Sequence, residues 1–169
     1  MSSTVKEPLI TWRGKVAPDW VDYNGHLRDA YYLLIFSFAS DGLMDLMGLD
    51  AQGRAASGHT LYTLETHLNY LLEVKQGADV EVCTQVVGLD AKRLHICHGM
   101  YLQGSVTLLA SNEQMLVNID TAGPRSAPFH PDVAARLQPM AQQHSALPRP
   151  KYAGRSIALA QTKPVADHG

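Results

Sequence analysis

The rhythm of apolar and polar positions changes several times along this chain, and each change predicts an element. Residues 9–16 alternate, which predicts a first strand entered through Pro8. Pro18 and Gly25 then break the chain into a loop. Residues 30–47 are apolar almost all round, interrupted mainly by Ser37, Ser40, Asp41 and Asp45. Positions 37, 41 and 45 fall four apart on one thin stripe, so the pattern predicts a helix wrapped by other structure. Asp29 suits its N-cap and Gly48 its end. The small, polar run 50–58 reads as a loop.

Beyond it the period shortens to two. Over residues 60–72 the even positions Tyr62, Leu64, Leu68, Tyr70 and Leu72 are apolar, while Thr63, Glu65, His67 and Asn69 are polar. That is a half-buried strand. Gln76-Gly77 turns the chain, and Val80, Val82 and Val86 share a face of the next strand. After a turn at 89–92, Leu94, Ile96, Met100 and Leu102 share a face of another. Residues 108–121 supply the last strand. The four long strands pair antiparallel and curl around the helix, an α+β architecture. Such a sheet leaves edges open, and two copies joined edge to edge hide one edge each. The organisation expected is a single domain over 1–130, followed by a C-terminal helix and extended tail over 131–169. The tail, from 144 on, is rich in proline, alanine and small polar residues, and is read as loose or draped on a partner.

Composition narrows the class. A chain of 169 residues suits one domain with a sizeable core. Fourteen lysines and arginines face 16 acids, so charge gives no case for nucleic acid or an anionic membrane. The apolar run 30–36 is too short to span a bilayer. Two cysteines, Cys83 and Cys97, argue against a disulfide framework and for a reducing compartment, so a soluble cytoplasmic protein is expected.

The chemistry concentrates in Trp20-Val21-Asp22-Tyr23-Asn24-Gly25-His26-Leu27-Arg28-Asp29. This run places a carboxylate, an amide, a glycine and an imidazole at the mouth of the apolar helix. A helix mouth offers free N–H groups and the positive end of a dipole, which keeps a neighbouring carboxylate ionised. Acyl transfer needs that pairing: a base or nucleophile beside a seat for a developing oxyanion. Asp22 is the candidate base or nucleophile. Asn24 orients it or a water, Gly25 permits a close main-chain approach, and His26 buttresses the turn or meets the substrate carbonyl. The same residue types also build ordinary turns, and both readings stand at this point.

Three blocks carry a family resemblance: the loop Trp20-Val21-Asp22-Tyr23-Asn24-Gly25-His26-Leu27, the strand Tyr62-Thr63-Leu64-Glu65-Thr66-His67-Leu68-Asn69-Tyr70-Leu71, and the hairpin Asp90-Ala91-Lys92-Arg93-Leu94-His95. Together they resemble the hotdog-fold acyl-CoA thioesterases of the 4-hydroxybenzoyl-CoA thioesterase-like group. Within it they are most similar to the thioesterases of carnitine breakdown, which act on betainyl-CoA. The resemblance covers residues 9–129. It implies a long antiparallel sheet around a central helix, and hydrolysis of a short-chain acyl-CoA by a homodimer or a pair of such dimers. It further implies that Asp22 is the catalytic acid, with a main-chain N–H near Gly25 and His26 polarising the thioester carbonyl. Since some members take their carboxylate from another element, Glu65 and Asp29 are rivals for the role. Coenzyme A enters as part of the substrate, and no separate cofactor is expected.

Other candidates complete the picture. Trp20, Tyr23, Tyr31, Tyr32, Tyr62 and Tyr70 are candidate substrate-binding aromatics, since aromatic faces hold quaternary ammonium groups; aromatics on such elements are also ordinary core. Lys92, Arg93 and Arg125 are candidates for CoA phosphates. His59, His67, His95 and His98 match no metal-ligand spacing, and no metal is expected. Two alternatives to hydrolysis remain open: a hydratase or dehydratase pairing His26 with Asp22, and a non-catalytic acyl-CoA binding module.

Overall fold

The computed structural model describes residues 7–161. The chain runs β1 (Leu9–Lys15), a 3-10 turn (Pro18–Trp20), α1 (Asp29–Leu46), α2 (Ala51–Ser57), β2 (His59–Tyr70), β3 (Asp79–Leu89), β4 (Arg93–Leu102), β5 (Leu108–Asp120), a short β6 (Arg125–Ser126) and α3 (Pro131–His144). The sheet is antiparallel in the order β1-β3-β4-β5-β2, with β6 beside β5. α1 lies along one face of this sheet, as the apolar run predicts.

Alternation decides which side chains meet α1. Val80 and Val82 on β3, Met100 on β4 and Ala110 on β5 pack against Tyr32, Ile35, Phe36 and Ala39 of the helix. Farther along, Leu43 of α1 and Met47 just past its end meet Leu94, Ile96 and Leu116, and α3 closes that end with Val133 and Leu137. Ile35, Phe36 and Leu43 are fully buried; each such side chain contributes about 1.5–3 kcal/mol by leaving water. Helix and sheet touch through the main chain at one point. A Cβ on Gly42 would stand 1.9 Å from the carbonyl oxygen of Thr11 on β1, so only glycine fits there.

Four expectations change. Asp29 is not the cap of α1 but its first residue; Arg28 is the extended N-cap, and the Asp29 carboxylate accepts from the Ala30 N–H at 2.9 Å. Residues 51–57 are helical rather than a loop, because Asp50 accepts from the Gly53 N–H at 2.8 Å and Gly58 closes the helix at φ +68°. On β2 a bulge between Thr63 and Glu65 shifts the alternation by one residue. Leu61 packs toward the core before it and Leu68 after it, while Tyr62 and Leu64 are left 49% and 60% exposed. Finally, α1 is not fully wrapped in the single chain: Leu33, Ser37 and Asp41 form an open stripe beside β2.

The C-terminal segment lies on its own sheet, on the face away from α1. Gln85 Nε2 donates to the Pro148 carbonyl at 3.1 Å, and the Gly154 N–H donates to the Glu113 carboxylate, which also lies 2.9 Å from His95 Nε2. His144 at the end of α3 accepts from the Val86 N–H at 2.8 Å, beside a bulge in β3. Residues 162–169 of the expected tail lie outside the described residues.

Candidate active site

The loop before α1 folds into a narrow hairpin turn. Val21 bridges Leu27, and the Asp22 N–H donates to the His26 carbonyl at 2.8 Å. Gly25 sits at φ +75°, in the left-handed region, and a Cβ there would meet nothing within 4 Å. Asp22 organises this turn from within. Its Oδ1 accepts from the N–H groups of Asn24 at 2.8 Å and His26 at 3.1 Å. Its Oδ2 meets no donor among the described residues. The His26 N–H, then that of Asn24, outweigh partial burial and hold the Asp22 carboxyl below its ordinary range. The turn therefore presents an ionised carboxylate with one oxygen anchored and one open.

The loop is stitched to itself and to the connection between β2 and β3, where His26 bridges Lys75. The Leu27 N–H donates to the Val74 carbonyl at 2.7 Å, Gln76 N–H to Gly25 carbonyl at 3.0 Å, and Arg28 N–H to Trp20 carbonyl at 3.0 Å. These bonds decide which main-chain donors are left. Asn24, Gly25 and His26 all donate to Asp22, while Tyr31 and Tyr32 share the Arg28 carbonyl. Ala30 takes the Asp29 carboxylate. From Asn24 to Tyr32, only the Asp29 N–H meets no acceptor among the described residues, and it sits in the first turn of α1, where the dipole favours negative charge.

At the same mouth a cavity of about 290 Å³ is lined by Leu27, Asp29, Tyr32, Tyr70, Leu72 and Glu73. Tyr32 donates its hydroxyl to the Leu72 carbonyl at 3.0 Å, and Tyr70 donates to the Asp29 carbonyl at 3.1 Å. The two rings meet edge to face at 5.1 Å. Burial, then the nearby Glu73 carboxylate, raises the Tyr32 phenol; burial, then Asp29, raises that of Tyr70. Asp22 stands outside this lining and connects to it through His26, whose ring Nε2 lies 3.4 Å from Glu73.

The six candidate aromatics separate into groups. Tyr32 and Tyr70 share the mouth cavity. Trp20 stacks on Tyr31 at 6.3 Å and tilts against Phe38, on the β1 side of the helix. Tyr23 is 93% exposed on the turn, and Tyr62 lies out on β2. Glu65 faces the other side of the sheet, lining a cavity with His67, His95, Glu113 and Arg155. Among the basic candidates, Arg93 is held by Asp90 at 2.6 Å. Lys92 Nζ donates to Ser126 at 3.2 Å, next to Arg125.

One constellation escapes sequence reading altogether. A chain of buried hydrogen bonds crosses the core beneath α1: Thr11 to Thr84 at 2.7 Å, Thr84 to His98 Nδ1 at 2.7 Å, His98 Nε2 to Ser40 at 3.0 Å, Ser40 to Gln114 at 3.1 Å, Gln114 to Asn112 at 2.6 Å and Asn112 to Thr66 at 2.6 Å. It ends at a cavity of about 380 Å³ lined by Ser37, Ser40, Asp41, Thr66 and Gln114, which opens beside β2. Complete burial keeps His98 neutral, its pKa pushed down to about 3. It stacks on Phe36 at 5.7 Å.

Residues 16–137 match the model of the thioesterase-like superfamily. The chain belongs to that superfamily. It is 57% identical over 155 residues to the betainyl-CoA thioesterase of Pseudomonas aeruginosa, covering 92% of this chain and 98% of that one. A crystal structure from Pseudomonas putida KT2440 shares 49% identity, with a TM-score of 0.79 over 91% of this chain and 98% of that one. A Staphylococcus aureus protein solved in complex with CoA shares 28% identity, with a TM-score of 0.84 over 94% of this chain and all of that one. The fold expected from the resemblance, a curled antiparallel sheet around a helix, is the fold of this thioesterase superfamily member. The enzyme class is thioester hydrolysis, and an acyl-CoA is its kind of substrate.

Proposed function

We propose that this thioesterase hydrolyses betainyl-CoA to betaine and CoA, with Asp22 as the catalytic carboxylate. One observation carries the assignment of Asp22: in the loop that leads into α1, its anchored, ionised side chain keeps an oxygen that meets no donor among the described residues, and the Asp29 N–H at the start of α1 meets no acceptor among them. The thioester carbonyl oxygen takes that N–H. Asp22 deprotonates water, or attacks the carbonyl carbon and is released by water; the C–S bond breaks and the CoA thiolate takes up the proton. Asn24 and Gly25 hold the turn in shape, and His26 ties it to Glu73. The choice of betainyl as the acyl group is supported by the Pseudomonas aeruginosa relative. No cofactor is required, and the two unpaired thiols support a cytoplasmic enzyme.

The working unit in this reading is a homodimer joined at β2. Among the described residues that strand pairs only with β5; it exposes Tyr62 and Leu64 and borders the open stripe Leu33, Ser37 and Asp41. Of the basic candidates for CoA phosphates, Lys92 is the one without a carboxylate partner among the described residues, because Arg93 serves Asp90 and Arg125 lies 4.0 Å from Asp120. The experiment is a panel of acyl-CoAs scored for free thiol, alongside enoyl-CoAs scored for hydration. Thiol release fastest with betainyl-CoA is expected. Tight acyl-CoA binding without thiol release, or enoyl-CoA hydration alone, overturns the reading.

A further inference from the structure

We propose that the cavity at the mouth of α1 seats the cationic end of the substrate, with the Asp29 and Glu73 carboxylates as its counter-charges and the Tyr70 ring as its aromatic wall. The inference rests on the betainyl-CoA reading and adds the residues that select the charge.

Three observations converge on this cavity. Its lining holds two carboxylates and no lysine or arginine. Neither carboxylate is paired with a lysine or arginine among the described residues; Glu73 has only the His26 ring, at 3.4 Å, and is itself 77% exposed at the side chain. Next, the aromatic wall is held in place. Tyr32 is 4% exposed and bonded through its hydroxyl, and its edge-to-face contact braces Tyr70, which stays 53% exposed. A half-open ring beside two anions suits a quaternary ammonium, which the ring quadrupole attracts and which donates no hydrogen bond.

The third observation is distance. In a betainyl group the nitrogen is separated from the thioester carbon by one methylene, so the two atoms stand about 2.5 Å apart by standard bond geometry. The cation must therefore sit almost on top of the site that holds the carbonyl. Asp29 serves both halves: its N–H meets no acceptor among the described residues, and the residue itself lines the cavity. The larger cavity of the same chain reaches up α1 to Leu33, but the first polar side chain in its lining is Ser37 and its only charged one is Asp41. Ser37 is eight residues along α1 from Asp29, about 12 Å away, too far for a group tied this closely to the reacting carbon.

The test compares betainyl-CoA with 3,3-dimethylbutyryl-CoA, which replaces the nitrogen by carbon and keeps the shape. The readout is the ratio of their kcat/KM values. Wild type is expected to favour betainyl-CoA at least tenfold. Asp29→Asn and Glu73→Gln are each expected to lower the ratio severalfold, and the double variant to bring it near one. Tyr70→Leu lowers it, and Tyr70→Phe retains it. Glu73→Gln, at an exposed position, serves where Asp29→Asn disturbs the helix start. Wild-type preference that survives all these substitutions overturns the cavity assignment alone. A wild-type ratio near one overturns selection by charge, while absence of thiol release from betainyl-CoA overturns the underlying reading of function.

Discussion

Asp22 and Asp90 build the same kind of turn and end with different freedom. Asp22 Oδ1 accepts from the N–H groups two and four residues on; Asp90 Oδ1 accepts from those of Lys92 and Arg93, two and three residues on. Both carboxyls are held below their ordinary range by these bonds, that of Asp90 at about 2. The difference lies in the second oxygen. In Asp90 the Arg93 guanidinium occupies it at 2.6–2.7 Å. In Asp22 it has no protein partner among the described residues. A carboxylate that accepts from its own turn is a structural feature of many loops; one that does so and keeps an oxygen in reserve beside a helix N-terminus is equipped for chemistry. Local spacing, Asp-x-x-Gly or Asp-x-x-Arg, does not tell the two apart. The partner at the second oxygen does.

Substitution provides the strongest test of this contrast. Asp22→Asn preserves a turn acceptor and removes the proposed base, so kcat is expected to fall by about 10²–10⁴ with the fold intact by circular dichroism. Asp90→Asn is expected to leave thiol release near wild type and to lower the thermal midpoint slightly. Equal effects of the two on turnover would erase the distinction. The rate profile sharpens it further: because the folded pKa of Asp22 is depressed, the base stays ionised as pH falls, and the acid limb of kcat/KM should lie below the ordinary aspartate value of about 3.9.

Reading that acid limb requires the stability of the protein to be followed in parallel. His98 is neutral when folded, with a pKa of about 3, and titrates near 6.5 when unfolded. As pH falls below 6.5 the unfolded chain binds the proton first. Stability is thus fully present above 6.5 and declines by up to about 1.4 kcal/mol per pH unit on the way to 3. Urea titrations across this range check it, and His98→Gln should flatten the slope. The smallest effect expected is that of Gly25→Ala. With φ at +75° and no steric neighbour, the cost is backbone strain alone, about 1 kcal/mol, read as a modest loss of both stability and turnover.

The long elements were legible because their signals are local. Val80, Val82 and Val86, or Leu94, Ile96 and Met100, announce a buried face by spacing alone. The apolar run of α1 announces a helix, though not that Leu33 and Ser37 stay open. What escaped has a physical reason in each case. The β2 bulge inserts one residue at Leu64, and periodicity counted straight through it assigns Tyr62 and Leu61 to the wrong sides. α2 hangs on two capping positions, Asp50 and Gly58, around a sequence with weak pattern. The buried chain from Thr11 to Thr66 joins residues on six elements, so no window of sequence contains it. At the candidate site the turn-forming residues of the loop lie together in sequence, whereas the mouth cavity needed Glu73, which follows β2, to be brought against His26.

The contact at Gly42 sets how tightly that mouth is positioned. Side chains adjust by changing rotamers, so a helix resting only on side chains can slide along its sheet by a fraction of a turn. Here main chain bears on main chain, with no compliant layer between Gly42 and Thr11. The contact acts as a mechanical datum: it fixes the height of α1 over β1, and with it the elevation at which a thioester must dock, before any substrate arrives.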